Sequence, residues 1–241
     1  MIQWIRSLIF FILLMLIAVI FIPFMIIYSY CVSERRYYPI VRLWCALSLF
    51  LLRITTGVKY RVNGIENIGL IKDRPAVIIS NHQSTFETFL FPIIFPTYCF
   101  VLKKELLRIP LFGQGLARLH PIAIDRSEGR EALKMMIAST KARLEENISV
   151  IIFPEGTRVA PGESLPYKNG AFLVASKLKA PVLPVSVNSG LAWPRGQLLK
   201  NKGTIDITIG ELIESEDKSV QELNDATYAW IKANEKTTLA K

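Results

Sequence analysis

The chain is poor in the residues that most enzymes use for proton transfer, thiol chemistry or metal binding. Its 241 residues include two histidines, His82 and His120, and three cysteines. Cys31, Cys45 and Cys99 stand far apart and are odd in number, so their spacing predicts neither a zinc site nor a redox pair. We expect them to be packing residues in a reducing compartment.

Several functional motifs are also missing. There is no Gly-x-Ser-x-Gly turn, which argues against a serine hydrolase. There is no helix-turn-helix pattern, paired aromatic RNA-binding segment or zinc finger, so we expect no nucleic-acid partner despite a formal charge of +9. Nearly all of this charge follows Val32. Beside a membrane anchor, such charge favours anionic lipid headgroups.

Charge is absent from Ser7 to Val32, and Leu8 to Tyr30 is almost wholly apolar. A helix of this length can cross a hydrocarbon core about 30 Å thick. The run is too long for the apolar part of a signal peptide and lacks a small-x-small cleavage site, so we interpret it as a retained anchor. Pro23 leaves a re-entrant hairpin as the alternative to a span.

A second apolar stretch, Leu43 to Leu52, lies between Arg42 and Arg53 and is too short to span. It suits a helix in the membrane interface, or one that folds back beside the first. We therefore expect a membrane-anchoring helical segment at residues 1–55 and a single domain at 56–241. The positive charge after the anchor places this domain on the cytoplasmic side.

The chain after residue 56 alternates short β-branched runs with helical windows. Runs such as Ala76–Ser80 are continuously apolar, which is typical of strands buried on both faces. This pattern predicts an α/β fold with a central, mostly parallel or mixed sheet flanked by helices. Ser127 is the expected N-cap of the third window. The predicted strands are Val58–Val62, Ala76–Ser80, Tyr98–Leu102, Pro121–Ile124, Ser149–Phe153, Val182–Val187 and Thr204–Ile209. The predicted helices are Thr85–Phe95, Glu105–Ala117, Glu128–Glu146, Gly170–Leu178 and Val220–Ala233.

His82 follows a predicted buried strand, and strand carboxyl ends are where α/β folds bind ligands. In one continuous helix, His82 and Glu87 would lie on different faces. They can meet only if His82 occupies the turn before the helix and Glu87 its first turns. A carboxylate at one ring nitrogen leaves the other free to accept a proton. The alternative is that His82 caps the helix and Glu87 is a solvated charge. His120, before Pro121, is interpreted as structural.

Two further stretches carry charge at strand ends. One, residues 150–158, runs from a hydrophobic strand into Pro154-Glu155-Gly156-Thr157-Arg158. Gly156 permits close backbone approach, and Arg158 offers a planar fork for phosphate or carboxylate. The other begins at Lys103-Lys104 and reaches Arg126. Taken singly, the first is more often an ordinary loop with a surface ion pair, and the second a solvated charged face.

Taken together and in order, after an N-terminal hydrophobic segment, these stretches resemble the glycerolipid acyltransferase family, in particular its bacterial 1-acyl-sn-glycerol-3-phosphate acyltransferases. The resemblance covers about residues 60–190. The motifs that carry it are Asn81-His82 with Glu87, Lys103-x-Glu105-Leu106 with Pro110-x-x-Gly113, Ile124-Asp125-Arg126, Phe153-Pro154-Glu155-Gly156-Thr157-Arg158, and Val182-Leu183-Pro184-Val185.

The resemblance implies a role for each matching residue. His82 corresponds to the catalytic base and Glu87 to its acidic partner, where the family usually has Asp. The matching residues for binding the phosphorylated acceptor are Lys103, Arg126, Glu155, Gly156, Thr157 and Arg158. Lys104 is an alternative to Lys103. Val159 stands where relatives often have Ser, and Lys168-Asn169-Gly170 resembles a later Lys-x-Gly.

The resemblance further implies acyl transfer from acyl carrier protein or acyl-coenzyme A to lysophosphatidic acid, in contact with membrane lipids. It implies no cofactor and no metal, and it places the chain at the inner (cytoplasmic) membrane of a bacterial cell. Other acceptors, such as another lysophospholipid or glycerol-3-phosphate, remain alternatives. So does a non-catalytic protein that binds anionic lipid, although phosphate binding alone does not require the His82 and Glu87 pair.

Overall fold

One sheet of seven strands forms the centre of the molecule. The computed structural model describes residues 1–240, and for Glu34, Arg35 and Arg126 it describes the backbone only. Across the sheet the strands run in the order β1-β7-β6-β2-β5-β3-β4, and only β6 and β7 pair antiparallel. The predicted mixed sheet is therefore confirmed. The strands are β1 (Val58–Asn63), β2 (Val77–Ser80), β3 (Tyr98–Lys103), β4 (Ile122–Ile124), β5 (Ser149–Ile152), β6 (Val182–Val187) and β7 (Gly203–Ile209).

Helices cover both faces of this sheet because the central strands are apolar on both sides. Every residue of β2, β5 and β6 is buried. Successive side chains of a strand point to opposite faces. Ile78 accordingly packs in one core cluster, while Val77 and Ile79 pack in the other. The first cluster contains α3 (Phe86–Ile94), and the second contains α5 (Arg130–Glu145), α6 (Gly170–Leu178) and α7 (Val220–Asn234).

Two predicted helices begin differently in the structure. The window Glu105–Ala117 divides into a 3₁₀ turn, Lys104–Arg108, and a short helix α4 (Phe112–Ala117). Pro110 accounts for this break, because proline has no N–H to donate and restricts the residue before it. Ser127 is not the N-cap of α5, which is Gly129. Instead the Ser127 N–H donates to the side chain of Asp125, at 3.0 Å.

Two long helices, α1 (Ile2–Cys31) and α2 (Glu34–Thr56), precede the sheet. α2 folds back beside α1, and the two share a cluster that includes Met25, Val41 and Cys45. α1 continues through Pro23. With 23 residues, α2 is longer than the apolar stretch that predicted it, so both helices are long and apolar enough to cross a membrane.

Helix α1 contacts the rest of the chain near both of its ends. At the start, the Gln3 amide donates to the carbonyl of Lys200 at 2.7 Å, and the Lys200 N–H donates to the hydroxyl of Ser7 at 2.9 Å. At the other end, the guanidinium of Arg118 donates to the carbonyl of Ser29. The helix therefore lies along the α/β part of the chain.

Helix α1 also contributes to the hydrophobic core. Phe10 is 1% exposed and meets the ring of Trp193 edge to face, with 5.3 Å between ring centroids. Phe10 and Leu14 belong to the same buried cluster as Ile78 of the central sheet. The core thus continues from the sheet into the first helix.

Candidate active site

His82 lies in the loop between β2 and α3, at the edge of the sheet where the parallel strands end. Its neighbour Asn81 ties this loop to β6. The Asn81 amide donates to the carbonyl of Val187 at 2.8 Å, and its side-chain oxygen accepts from the Val187 N–H at 2.9 Å. The loop is thereby held at the position where α/β folds bind ligands.

Glu87 lies in the first turn of α3, and its carboxylate faces the imidazole of His82. Nδ1 of His82 is 3.7 Å from Oε2 of Glu87, which is fully buried. The other carboxylate oxygen, Oε1, accepts from the backbone N–H groups of Gln83 and Ser84, each at 3.1 Å, and from the hydroxyl of Ser189. The structure therefore has the geometry that the sequence required for this pair. At 3.7 Å the two atoms are in ion-pair range but farther apart than a hydrogen bond.

The loop after β5 holds His82 from three directions. Oε1 of Glu155 accepts from the backbone N–H of His82 at 3.3 Å, and the carbonyl of His82 accepts from the N–H of Val159 at 2.8 Å. The ring of Phe153 stacks on the imidazole, with 4.0 Å between centroids and 18° between planes. Two segments that lie some seventy residues apart in sequence thus form one unit.

Glu155 has an environment unlike that of a surface carboxylate. It is 7% exposed, and burial raises the pKa of its carboxyl from 4.5 to about 7, against the opposing effect of its hydrogen bond with the His82 N–H. The side chain of Glu155 contacts the backbone of the loop that carries His82. The family resemblance instead groups Glu155 with the residues that bind the acceptor.

Cationic side chains surround the opening beside His82. Arg158, Lys103, Lys168 and Arg195 all line the same cavity. Arg158 is half-buried, and burial lowers the pKa of its guanidinium while the charge of Glu87 opposes this effect. Lys103 is exposed, with Nζ 3.5 Å from the carboxylate of Glu105. The arrangement favours binding of an anionic group such as a phosphate.

The other residues predicted to bind the acceptor are placed as follows. Gly156 lines the cavity with a φ of 72°, in the left-handed region that favours glycine. Thr157 also lines it, and its hydroxyl accepts from the guanidinium of Arg195 at 3.0 Å. Lys103 lines the cavity and Lys104 does not, which favours Lys103 of the two. The side chain of Arg126 lies outside the described part of the chain.

Beyond this charged opening the cavity is apolar and has a volume of about 940 Å³. Tyr37, Val41 and Trp44 line it on the side of α2. Leu133 and Met136 line it on the side of α5. A cavity of this size and polarity suits the hydrocarbon chain of a lipid.

Comparison with known proteins places this site in a family. Residues 59–188 match the model of the Acyltransferase family. Over 201 residues the chain is 40% identical to the 1-acyl-sn-glycerol-3-phosphate acyltransferase of Pseudomonas aeruginosa, covering 82% of this chain and 77% of that protein. The chain belongs to the acyltransferase family.

Other relatives agree with this assignment. The acyltransferase superposes on the crystal structure of the 1-acyl-sn-glycerophosphate acyltransferase of Thermotoga maritima with a TM-score of 0.80 and 26% identity, covering 96% of this chain and 95% of the other. It is 32% identical over 171 residues to the 1-acyl-sn-glycerol-3-phosphate acyltransferase of Limnanthes douglasii, covering 70% of this chain and 59% of that protein.

Two residues of the acyltransferase site were not found by reading the sequence. Ser189 lies one residue beyond the segment that matches the family model, and a single serine after a strand carries no pattern. Arg195 lies in a turn between Pro194 and Gly196, where an exposed arginine is unremarkable. Only the folded chain brings Ser189 to Glu87, and Arg195 to Thr157.

Proposed function

We propose that this acyltransferase moves a fatty acyl group from a thioester donor, acyl carrier protein or acyl-coenzyme A, to the sn-2 hydroxyl of lysophosphatidic acid. The product is phosphatidic acid, an intermediate of phospholipid biosynthesis. The observation that carries the proposal is the His82 and Glu87 pair at the mouth of an apolar cavity ringed by cations. The pair suits proton transfer, the cations suit a phosphate, and the cavity suits an acyl chain.

In this mechanism His82 acts as the general base. It takes the proton of the acceptor hydroxyl as the hydroxyl oxygen attacks the thioester carbonyl. The tetrahedral intermediate then collapses, the carbon–sulfur bond breaks, and the imidazolium returns the proton to the leaving thiolate. Glu87, at Nδ1, sets the ring tautomer and stabilises the imidazolium. General base catalysis of this kind contributes about 10²–10⁴-fold to the rate.

Binding of the acceptor phosphate is assigned to Lys103 and Arg158, with Gly156 and Thr157 at the same opening. Arg126 is assigned to this group on the family resemblance alone. Glu155 is assigned differently, because its side chain accepts a hydrogen bond from the backbone of the catalytic loop. Its hydrogen bond to the His82 N–H supports a role in holding the catalytic loop.

Residues 1–55 are proposed to anchor the α/β domain, residues 56–241, to the inner membrane with that domain on the cytoplasmic side. The contacts of α1 favour an embedded helix over a span. Gln3 and Ser29 lie about 39 Å apart along the helix, more than the thickness of a hydrocarbon core. Both ends touch the same domain, which a spanning helix cannot achieve unless the domain enters the bilayer.

The test is a donor-resolved transfer assay with purified full-length protein in detergent and in vesicles. We expect phosphatidic acid from lysophosphatidic acid, with acyl carrier protein and coenzyme A thioesters supplied separately and other lysophospholipids and glycerol-3-phosphate as competing acceptors. His82→Asn should lower kcat by at least about 100-fold.

His120→Asn is the matched control, because His120 is the other histidine and does not line the cavity. Asparagine also tolerates the positive φ of 47° at that position. We expect this variant to retain the wild-type rate. Near-normal turnover by His82→Asn would refute the mechanism, and a strong preference for another acceptor would refute the assigned substrate.

A further inference from the structure

A short loop of the α/β domain exposes an unusual number of apolar side chains. In residues 106–112, here called the apolar loop, Leu106, Ile109, Leu111 and Phe112 are exposed by 38%, 44%, 50% and 46%. Single exposed apolar residues are common on protein surfaces and need no explanation. Four within seven residues form a patch of the kind that marks an interaction surface.

The backbone holds this loop in a compact shape. The N–H of Gly113 donates to the carbonyl of Ile109 at 2.8 Å. A Cβ at Gly113 would lie 2.2 Å from the carbonyl oxygen of Leu107, so only glycine fits there. Leu111 has a φ of 63°, which is rare for a leucine. The apolar side chains are thus presented by a defined turn.

The apolar loop lies beside the junction of α1 and α2. Just after it in sequence, the carbonyl of Gly115 accepts from the hydroxyl of Tyr37 in α2 at 3.3 Å. A few residues further on, Arg118 donates to the carbonyl of Ser29 in α1 and its guanidinium lies 5.5 Å from the ring of Tyr30. The segment that directly follows the apolar loop is therefore held against the helix pair, which places the loop near the exposed apolar residues of α1 and α2.

The charged residues near the apolar loop, and the cavity that opens beside it, both indicate contact with a lipid surface. Lys103 and Lys104 precede the apolar loop and Arg108 lies within it, and all three are exposed cations. Basic residues at the edge of an apolar surface bind anionic headgroups. Leu106 and Phe112 also line the mouth of the cavity that contains His82.

We propose that the apolar loop enters the same bilayer as α1 and α2 and forms a third membrane contact, with anionic lipid around its base. This proposal rests on the membrane association proposed above. Its consequence is that the cavity opens at the level of the headgroups. A lysophospholipid then reaches His82 by moving along the membrane surface, without passing through water.

The experiment places an environment-sensitive nitrobenzoxadiazole probe at single cysteines of the full-length chain. Cys31→Ser removes the exposed native thiol, whereas Cys45 and Cys99 are buried. Ile109→Cys tests the apolar loop without altering a residue that lines the cavity. Leu16→Cys, at a position 56% exposed in α1, reports whether the helices themselves enter the bilayer.

Leu70→Cys is the matched control for an exposed apolar residue that faces water. Leu70 is 45% exposed and precedes Lys72, whose carbonyl accepts from Asn147 just before β5 begins. It lies at the end of the sheet opposite His82. With vesicles of phosphatidylcholine and phosphatidylglycerol, we expect blue-shifted emission and quenching by doxyl lipids at positions 16 and 109, but not at 70.

The outcomes separate this proposal from the one on which it rests. A probe at position 16 that senses lipid while position 109 behaves like position 70 overturns the apolar loop as a membrane contact. Loss of the lipid signal at both 16 and 109 overturns the membrane association itself. A signal at 109 that requires acyl carrier protein would assign the patch to the donor and equally overturn the proposal.

A separate observation concerns Ser189, which lies beyond the end of β6 and is fully buried. Its hydroxyl donates to Oε1 of Glu87. Oε1 also accepts from the backbone N–H groups of Gln83 and Ser84, and the Ser84 N–H lies 3.2 Å from Oε2 as well, the oxygen that faces His82. Glutamate has one more rotatable bond than the aspartate usual in this family, and a third donor restricts that freedom.

We infer that Ser189 is a positioning residue that aims the carboxylate of Glu87 at Nδ1 of His82. Ser189→Ala should lower kcat about tenfold, because hydrogen bonds to charged groups are stronger than neutral ones. The KM for lysophosphatidic acid should not change. Ser189→Thr keeps the hydroxyl and should restore most of the rate.

Two comparisons make this inference falsifiable. Ser186→Ala is the matched control, because Ser186 is also buried in this region but donates to the carbonyl of Ile231 at 2.9 Å, away from the site. In a Glu87→Ala background, Ser189→Ala should have no further effect on kcat. Equal losses in Ser186→Ala and Ser189→Ala, or additive losses with Glu87→Ala, would show a purely structural role.

Discussion

The imidazole of His82 and the ring of Phe153 stack face to face, 4.0 Å apart between centroids. Phe153 in turn neighbours Phe91 and Phe100, whose rings lie nearly parallel to it with centroids 6.1 and 6.3 Å away. Stacking on Phe153 therefore sets the plane of the histidine ring, and the carboxylate of Glu87 lies on the side of Nδ1. A positive charge that develops on the imidazole also gains from the face of the neighbouring ring.

Replacing Phe153 by leucine should therefore affect turnover more than binding. We expect Phe153→Leu to lower kcat about fivefold, which corresponds to the roughly 1 kcal/mol of a cation held over an aromatic face. The KM for lysophosphatidic acid should stay close to the wild-type value. Phe91→Leu is the control, since it removes the ring behind Phe153 without touching His82. If both variants lost the same amount of kcat per folded enzyme, the contact between the Phe153 ring and His82 would not itself affect turnover.

Removing Arg158 should weaken binding of the acceptor. We expect Arg158→Ala to raise the KM for lysophosphatidic acid about 10–100-fold, because a charge-assisted hydrogen bond to phosphate is lost. Arg158→Lys should be intermediate, since lysine keeps the charge but not the planar fork. Arg74→Ala provides a control, because Arg74 pairs with the exposed Glu214 at 2.6 Å and does not line the cavity. An unchanged KM in steady-state assays would remove Arg158 from the phosphate site.

Glu155→Gln should change how stability depends on pH. The carboxyl of Glu155 has its pKa raised from 4.5 to about 7 by burial. Its stabilising contribution is complete below pH 4.5 and is lost as the pH rises through 7, because the folded chain then holds a buried charge. At 1.36 kcal/mol per pKa unit, this loss is about 3 kcal/mol.

The glutamine variant cannot ionise, so its Tm in detergent should rise relative to the wild type between pH 5 and pH 8. The Tm difference at pH 5 measures any effect of the amide that does not depend on pH, and it is subtracted from the difference at pH 8. A Tm difference that is the same at both pH values would show that Glu155 does not titrate in this range.

Phe10 and Phe11 are adjacent in α1, but Phe10 is buried and Phe11 is exposed, so the two together test whether α1 packs in the core. Phe10→Ala should cost about 3–5 kcal/mol of unfolding free energy, because it leaves a cavity against Trp193. Phe11, which is 47% exposed, should change stability by less than about 0.5 kcal/mol when replaced by alanine. Chemical denaturation in detergent measures both. Similar effects at the two positions would show that α1 does not pack on the domain in solution.

Much of this fold was predictable because its strands are short, continuous apolar runs that end in polar residues. All seven predicted strands are present, and so is the turn that brings His82 to Glu87. The helix boundaries were less predictable, since Pro110 and Gly129 decide them through backbone geometry. The length of α2 was underestimated, because Tyr37 and other residues outside the apolar stretch pack against α1.

Contacts between distant segments could not be predicted from local pattern. The direction of the Glu155 side chain depends on how the loop after β5 folds over His82. Ser189 reaches Glu87 across a sequence separation of 102 residues, and nothing in its neighbours marks it. Such roles follow from tertiary packing, which a motif of charged residues does not specify.

The hydrogen bonds that join Gln3 and Ser7 to Lys200 close loops of 197 and 193 residues, most of the length of the chain. Because α1 is synthesised 193 to 197 residues before Lys200, it must wait for that later segment before it can complete its packing. During that interval its apolar surface has to be covered by something other than its final partner. Early delivery of the nascent helix to the membrane would supply that cover and would couple insertion to folding.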